Sequence, residues 1–170
     1  EAVNWLDGKE DLYYGGSAGI FRGHKASLFE GGIRMPAILS YPRLLAKNQT
    51  NHHVGMMMDI APTFLEWAGA APLEAAEMDG CSVVPMVTEG KPSPHKQVFW
   101  AYNGQLAVRQ GKWKLVLNGK LDFTRAQSDV VHLSDLEKDP GERINLAEAY
   151  PELTEQLVHD VKAWFRNLGH

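Results

Sequence analysis

A chain of 170 residues and 18.9 kDa, 44% hydrophobic and 22% charged, has the make-up of one ordinary globular domain, or of a domain with a small satellite. That composition excludes a disordered, collagenous or coiled-coil chain, and 17 basic against 21 acidic residues, net −4, argues against a nucleic-acid partner held by bulk charge. No apolar run approaches the roughly 18 residues of a membrane span. The opening residues Glu1-Ala2-Val3-Asn4-Trp5 show no signal peptide. The single cysteine, Cys81, excludes an intramolecular disulfide and a Cys-rich zinc site, and leaves the compartment open.

In chain order, Tyr13-Tyr14-Gly15-Gly16-Ser17-Ala18-Gly19 is glycine-rich and non-periodic, hence a loop. The window 22–47 is basic: Arg22, Lys25, Arg34, Arg43 and Lys47 stand against Glu30 alone. It is either a solvated face or an anion site. Residues 33–41 form a short apolar run closed by Pro42, which predicts a buried strand with Pro36 near its start. Residues 59–68 predict a helix: Asp59 can cap it, Pro62 falls in its first turn, and Ile60, Ala61, Phe64, Leu65 and Ala68 share a face, with Gly69 at the C-cap. Met56-Met57-Met58 and the five tryptophans are expected to pack a core. His52-His53 are adjacent, point apart, and make a poor ligand pair. Asn48-Gln49-Thr50 is a glycosylation acceptor only in a secreted eukaryotic protein.

Residues 71–96, with Pro72, Pro85, Pro92 and Pro94, are loop-like, and Gly90-Lys91-Pro92-Ser93-Pro94 is the best boundary candidate. The chain then divides at 1–95 and 96–170. Short β-type runs follow at 98–102, 106–109, 113–117 and 130–133, with Gln110-Gly111 and Asn118-Gly119 as turn signals. Asp139-Pro140-Gly141-Glu142 is a further turn. Leu153, Leu157, Val161, Trp164 and Leu168 step along one helix face, and Pro151, Glu152 and Arg166 agree with its polarity. A meander with a helix laid on it is an α+β subdomain. The first part offers one strand and one helix, too few for an α/β layer by itself, which suggests the end of something larger.

The densest motif runs Arg22-Gly23-His24-Lys25, then Glu30-Gly31-Gly32-Ile33-Arg34-Met35-Pro36-Ala37. Its glycines permit close approach, and a lysine beside such a loop can face an oxyanion as a point charge; a tight loop with exposed cations is the plainer reading. This motif resembles the second-half signature of the sulfatases, alkaline-phosphatase-like sulfuric ester hydrolases. The likeness continues in order through Asp59-Ile60-Ala61-Pro62-Thr63, Asp79-Gly80 with Val83, Pro85 and Met86, and Ala107-Val108-Arg109. It then takes in Gly111-Lys112-Trp113-Lys114, Leu133-Ser134-Asp135-Leu136, and Asp139 to Glu142 with Asn145-Leu146-Ala147.

The resemblance implies the end of a main sulfatase α/β sheet domain over 1–95. Over 96–170 it implies a small α+β subdomain, an antiparallel sheet of about four strands packed by a C-terminal helix. It implies that Lys25 contacts substrate sulfate, with His24 and Arg22 as further substrate-side candidates; His24 stands where the family often has Gly and can equally be a surface histidine. It implies a parent that uses calcium and a formylglycine on a sulfated small molecule or glycan, in periplasm, lysosome or outside the cell. The formylglycine motif, Cys or Ser, any residue, Pro or Ala, any residue, then Arg, is absent: Cys81 to Pro85 fails at both fixed positions, and in Ser40-Tyr41-Pro42-Arg43 the arginine comes one residue early. The family's Asp-Asp and Asp-Asn metal ligands are also absent, and Asp7, Gly8 and Asp11 do not restore them. The chain therefore resembles the C-terminal third of a sulfatase, expected to be inactive alone and to carry no cofactor of its own. The alternatives are a non-catalytic folding or association module and a fragment of a phosphate ester hydrolase of the same superfamily.

Overall fold

The computed structural model describes residues 17–70, 78–121 and 129–169. The readings made on 1–5, Asp7, Gly8, Asp11, 13–16 and Pro72 lie outside the described residues. The chain forms two compact units, one of 17–35 with 97–169, the other of 36–96.

The first unit is built on a four-stranded antiparallel meander, β1 (Val98–Tyr102), β2 (Gln105–Gln110), β3 (Trp113–Gly119) and β4 (Asp129–Asp135), in spatial order 1-2-3-4. Asn103 and Gly104, both left-handed at φ 47° and 77°, join β1 to β2. They are the residue pair a two-residue I′ turn demands. Gly111, φ 57°, opens the β2–β3 turn. The predicted Asn118-Gly119 turn does not form there. β3 runs on to Gly119, which pairs with Asp129, and glycine is needed there because a Cβ would fall 2.7 Å from the Phe29 ring.

Pleat alternation gives the sheet two unlike faces. One carries Val108, Leu115, Leu117 and Leu133, buried against Leu157 and Val161 of α4 (Pro151–Asn167). Trp164 is half-buried on this face and stacks on Phe99 at 5.2 Å. Leu168, expected on the same stripe, falls beyond the helix as its C-cap and is 51% exposed. The opposite face carries Ala107, Val116 and His132 in one row and Arg109, Lys114 and Ser134 in the next. It is covered by the 22–34 segment, where Leu28 and Phe29 pack on Ala107 and Val116 and the short helix α1 (Glu30–Ile33) follows.

In the 36–96 unit, α2 (Ile60–Ala68) and α3 (Val84–Glu89) form as helices, preceded by a 3-10 turn at Met57–Asp59. Two expectations are corrected here. The 33–41 run is not a buried strand: Ile33 closes α1 and 34–40 are exposed and without regular secondary structure, with Ile38 95% exposed. A strand needs a neighbour to hydrogen-bond, and the sheet strands among the described residues all lie within 98–135. The apolar face of α2 is also uncovered, with Ile60 43% and Phe64 54% exposed, as are Met57 and Met58. The buried α2 residue is Thr63 instead. The four described tryptophans are all half-buried, Trp100, Trp113 and Trp164 against the sheet and Trp67 between Tyr41 and Phe64.

Asp59 does not cap α2 with its side chain. Its carboxylate accepts from the Met56 and Cys81 N–H groups at 2.7 and 3.0 Å and meets His95 Nε2 at 2.8 Å. Thr63 Oγ1 donates to Asp59 O and accepts from Val83 N–H, and a Cβ at Gly80 would collide with Met58 O. The Asp59–Thr63 and Asp79-Gly80 motifs are thus two halves of one knot.

Candidate functional site

Elementary backbone geometry shapes the 22–34 segment. Gly23 is left-handed at φ 70° and lies so close to Ser27 that any side chain would collide with it. A Cβ at Gly31 would strike the carbonyl oxygens of Arg22 and Gly23, and one at Gly32 those of Ser27 and His24. The loop therefore folds down onto the start of α1, with Gly31 N–H donating to Arg22 O at 2.7 Å. Ser27 N–H donates to His24 O at 2.8 Å, closing a turn with Lys25 and Ala26 at its centre. Ala26 is left-handed there at φ 79°, a conformation that glycine adopts freely and that costs alanine about 1 kcal/mol.

Lys25, at the tip, is exposed, and it makes no hydrogen bond or ion pair among the described residues. The other two cations of the segment are engaged. Arg34 reaches Glu30 at 3.3 Å. Arg22 donates to Asp129 at 2.9 Å and to Glu142 O at 3.2 Å, lies 3.1 Å from His132 Nδ1, and stacks 4.1 Å over the Phe29 ring. His24 is half-buried beside it. Of the three residues singled out in the sequence, Arg22 turns inward to the sheet and Lys25 is exposed at the surface.

Beneath the loop lies an ionic core that sequence reading missed. Lys114 of β3, fully buried, lies 2.9 Å from Glu30 Oε1 and 3.1 Å from Glu142 Oε1. Glu142 Oε2 accepts the Glu30 N–H at 2.5 Å, and Arg109 approaches Glu30 at 3.9 Å. The 139–142 turn was read only as a turn. It carries Glu142 at φ 50°, a backbone state uncommon for a glutamate, whose side chain here is fully buried. Burial pushes the Glu142 carboxyl up, reinforced by Glu30 and opposed by Lys114. Burial likewise lowers the Arg109 guanidinium. One signal was readable: Lys114 shares strand parity with buried Val116, so a lysine occupies an inward position.

Burial, and then the facing Arg22 cation, hold the His132 imidazole below its ordinary value, against the opposing pull of Asp129 and Asp139. A histidine kept neutral by its fold contributes stability above pH 6.5, lost as pH falls through the lowered folded value. His132→Asn keeps an acceptor for Arg22 without the titration. The difference in Tm between wild type and variant should therefore shrink as pH falls from 7 to 5; a constant difference would contradict the assignment. Glu142 acts in the opposite sense, its contribution being present at acid pH and lost as pH rises through its raised value, and it is common to both proteins.

Comparison with known proteins assigns this architecture. The family model described as N-sulphoglucosamine sulphohydrolase, C-terminal, matches residues 16–167. Bovine arylsulfatase A is 31% identical over 171 residues, covering 89% of this chain and 33% of that protein. Mouse N-acetylgalactosamine-6-sulfatase is 30% identical over 156 residues, covering 78% and 30%. A Bacteroides thetaiotaomicron protein of glycosaminoglycan metabolism shares the fold with a TM-score of 0.72 at 23% identity, over 85% of this chain and 32% of its own. The chain spans about a third of the length of these relatives. With the match to the family model over nearly its whole length, the chain belongs to the sulfatase family, as a C-terminal portion.

Proposed function

We propose that the complete protein is a sulfuric ester hydrolase acting on a sulfated sugar or an aryl sulfate, and that Lys25 contacts a sulfate oxygen of the substrate. The observation that carries this reading is an exposed ammonium, without a partner among the described residues, on the tip of a turn whose backbone is fixed on both sides. A fixed cation stabilises charge that grows on sulfate oxygens in the transition state. His24 and Arg22 flank it as further substrate-side groups, and Arg22 also anchors the loop to Asp129. The names of the relatives, arylsulfatase A and N-acetylgalactosamine-6-sulfatase, support the substrate class.

Calcium and formylglycine are expected of the complete protein. The acids buried here do not fit a metal site: Glu30 and Glu142 share Lys114, and Asp59 is saturated by two backbone N–H groups and His95. Among the described residues no group of three or more His, Cys, Asp or Glu could hold a metal ion, so no step is assigned through calcium on this chain. No described helix is long and apolar enough to cross a membrane.

Residues 1–95 are read as belonging to the main α/β domain and 96–170 as the small subdomain. The exposed Ile38, Ile60 and Phe64 support this reading, since they are the apolar surface that such a domain would bury. The chain alone should hydrolyse no sulfate ester. Assay of the purified chain and of the complete protein against 4-methylumbelliferyl sulfate and the corresponding phosphate tests both points. Turnover by the chain alone overturns the first, and preference of the complete protein for the phosphate overturns the second.

A further inference from the structure

We infer that Gln105 is a positioning residue for Lys25, acting through the carbonyl of Ala26; this rests on the reading of Lys25 given above. Gln105 opens β2, and its side chain is fully buried beneath the loop. Its amide nitrogen donates to Ala26 O at 2.9 Å. Its amide oxygen accepts from Leu28 N–H at 3.3 Å and from Lys120 N–H at 2.9 Å. One side chain therefore ties the residue after Lys25 to the sheet and to the segment that follows β3.

The contact falls where the backbone resists. Ala26 holds φ 79° at the third position of the turn, where glycine is the usual occupant. An unanchored alanine relaxes out of that region, and the Lys25 backbone turns with it. Ser27 Oγ, donating to Lys120 O at 2.6 Å, anchors the next residue to the same 120 segment. On the other flank Arg22 is held by Asp129. The tip bearing Lys25 is thus clamped from both ends, and Gln105 is the clamp that meets the strained residue.

Gln105→Glu isolates this bond, because a carboxylate still accepts from Leu28 and Lys120 but repels the Ala26 carbonyl. Burial raises the pKa of such a carboxyl, and its protonated form can donate to Ala26 again. In the complete protein the expected kcat/KM for 4-methylumbelliferyl sulfate is roughly tenfold lower than wild type near pH 8, about 1.4 kcal/mol. The deficit should narrow as pH falls to 5. Gln105→Asn, uncharged and one methylene too short, should show the same deficit without the pH dependence, and serves alone if the Glu variant does not fold. In a Lys25→Ala background neither change should lower activity further.

Trypsin cleavage after Lys25, followed by mass spectrometry, reads the turn independently of catalysis and should accelerate several-fold in either variant. If Lys25→Ala retains full activity while cleavage accelerates, the substrate contact fails and the positioning role stands. Unchanged cleavage in the folded variants, or deficits that add to that of Lys25→Ala, overturns the inference.

Discussion

Lys25→Ala in the complete protein should lower kcat/KM toward a sulfate ester by roughly ten- to a hundred-fold and leave Tm unchanged. A charge-assisted contact shielded from water is commonly worth about 1.5–3 kcal/mol, and 1.4 kcal/mol corresponds to tenfold. Stability should not change because the side chain is exposed and touches no described partner. The contrast with its neighbours is instructive. Arg22 and Arg34 are ion-paired, so their removal would disturb the loop as well as any ligand. Lys47→Ala, also exposed and cationic, is the control and should leave kinetics unaltered. Steady-state kinetics of the two purified variants decides the matter: equal efficiency for Lys25→Ala and wild type would remove Lys25 from the site.

The largest stability effect should come from Lys114→Ala. The ammonium is fully buried between Glu30 and Glu142, and removing it leaves two carboxylates with their shared cation gone. Breaking a buried pair from one side costs about 3–5 kcal/mol, far more than the pair contributes over an apolar substitute. Glu142→Gln should cost less. Burial already favours the neutral form of that carboxyl, and an amide oxygen can still accept the Glu30 N–H. Urea unfolding of the 170-residue chain followed by tryptophan fluorescence measures both, and a Lys114→Ala loss below about 1 kcal/mol would show that the ionic core is not what holds the 22–34 segment down.

The parts of this fold that could be read from sequence are those fixed by local periodicity. The meander and α4 followed from alternation and from the four- and three-residue steps of Leu153, Leu157, Val161 and Trp164, because each pattern is complete within its own segment. The 33–41 run shows the opposite case: its apolar character was read correctly, but a strand is a property of a pair, and no described partner adjoins it. The face of α2 failed for a related reason, since apolar residues there are exposed while Thr63 is buried by its bonds to Asp59 and Val83. At the candidate site, Arg22, His24 and Lys25 were singled out by their motif. Their supports were not: Gln105, Lys114, Asp129, His132 and Glu142 lie 77 to 120 residues away from the groups they hold. Apart from the inward strand position of Lys114, nothing local distinguishes them from ordinary strand or turn residues.

The separation between Glu30 and Glu142 has a kinetic consequence. Glu30 and Lys114 are 84 positions apart, and Glu30 and Glu142 are 112 apart. At a synthesis rate of about 5–20 residues per second, Lys25 is made roughly 6–23 s before Glu142 exists to anchor its segment. Until β2 and β3 are made, Leu28 and Phe29 have no Ala107 and Val116 to cover, and Ala26 has no Gln105 to hold it left-handed. The unit of 17–35 and 97–169 is therefore a high-contact-order structure closed late, whose ordering is limited by the arrival of distant residues rather than by any local element. Pauses in translation before β2 would lengthen the exposure of the loop, whereas pauses after the 139–142 turn would not.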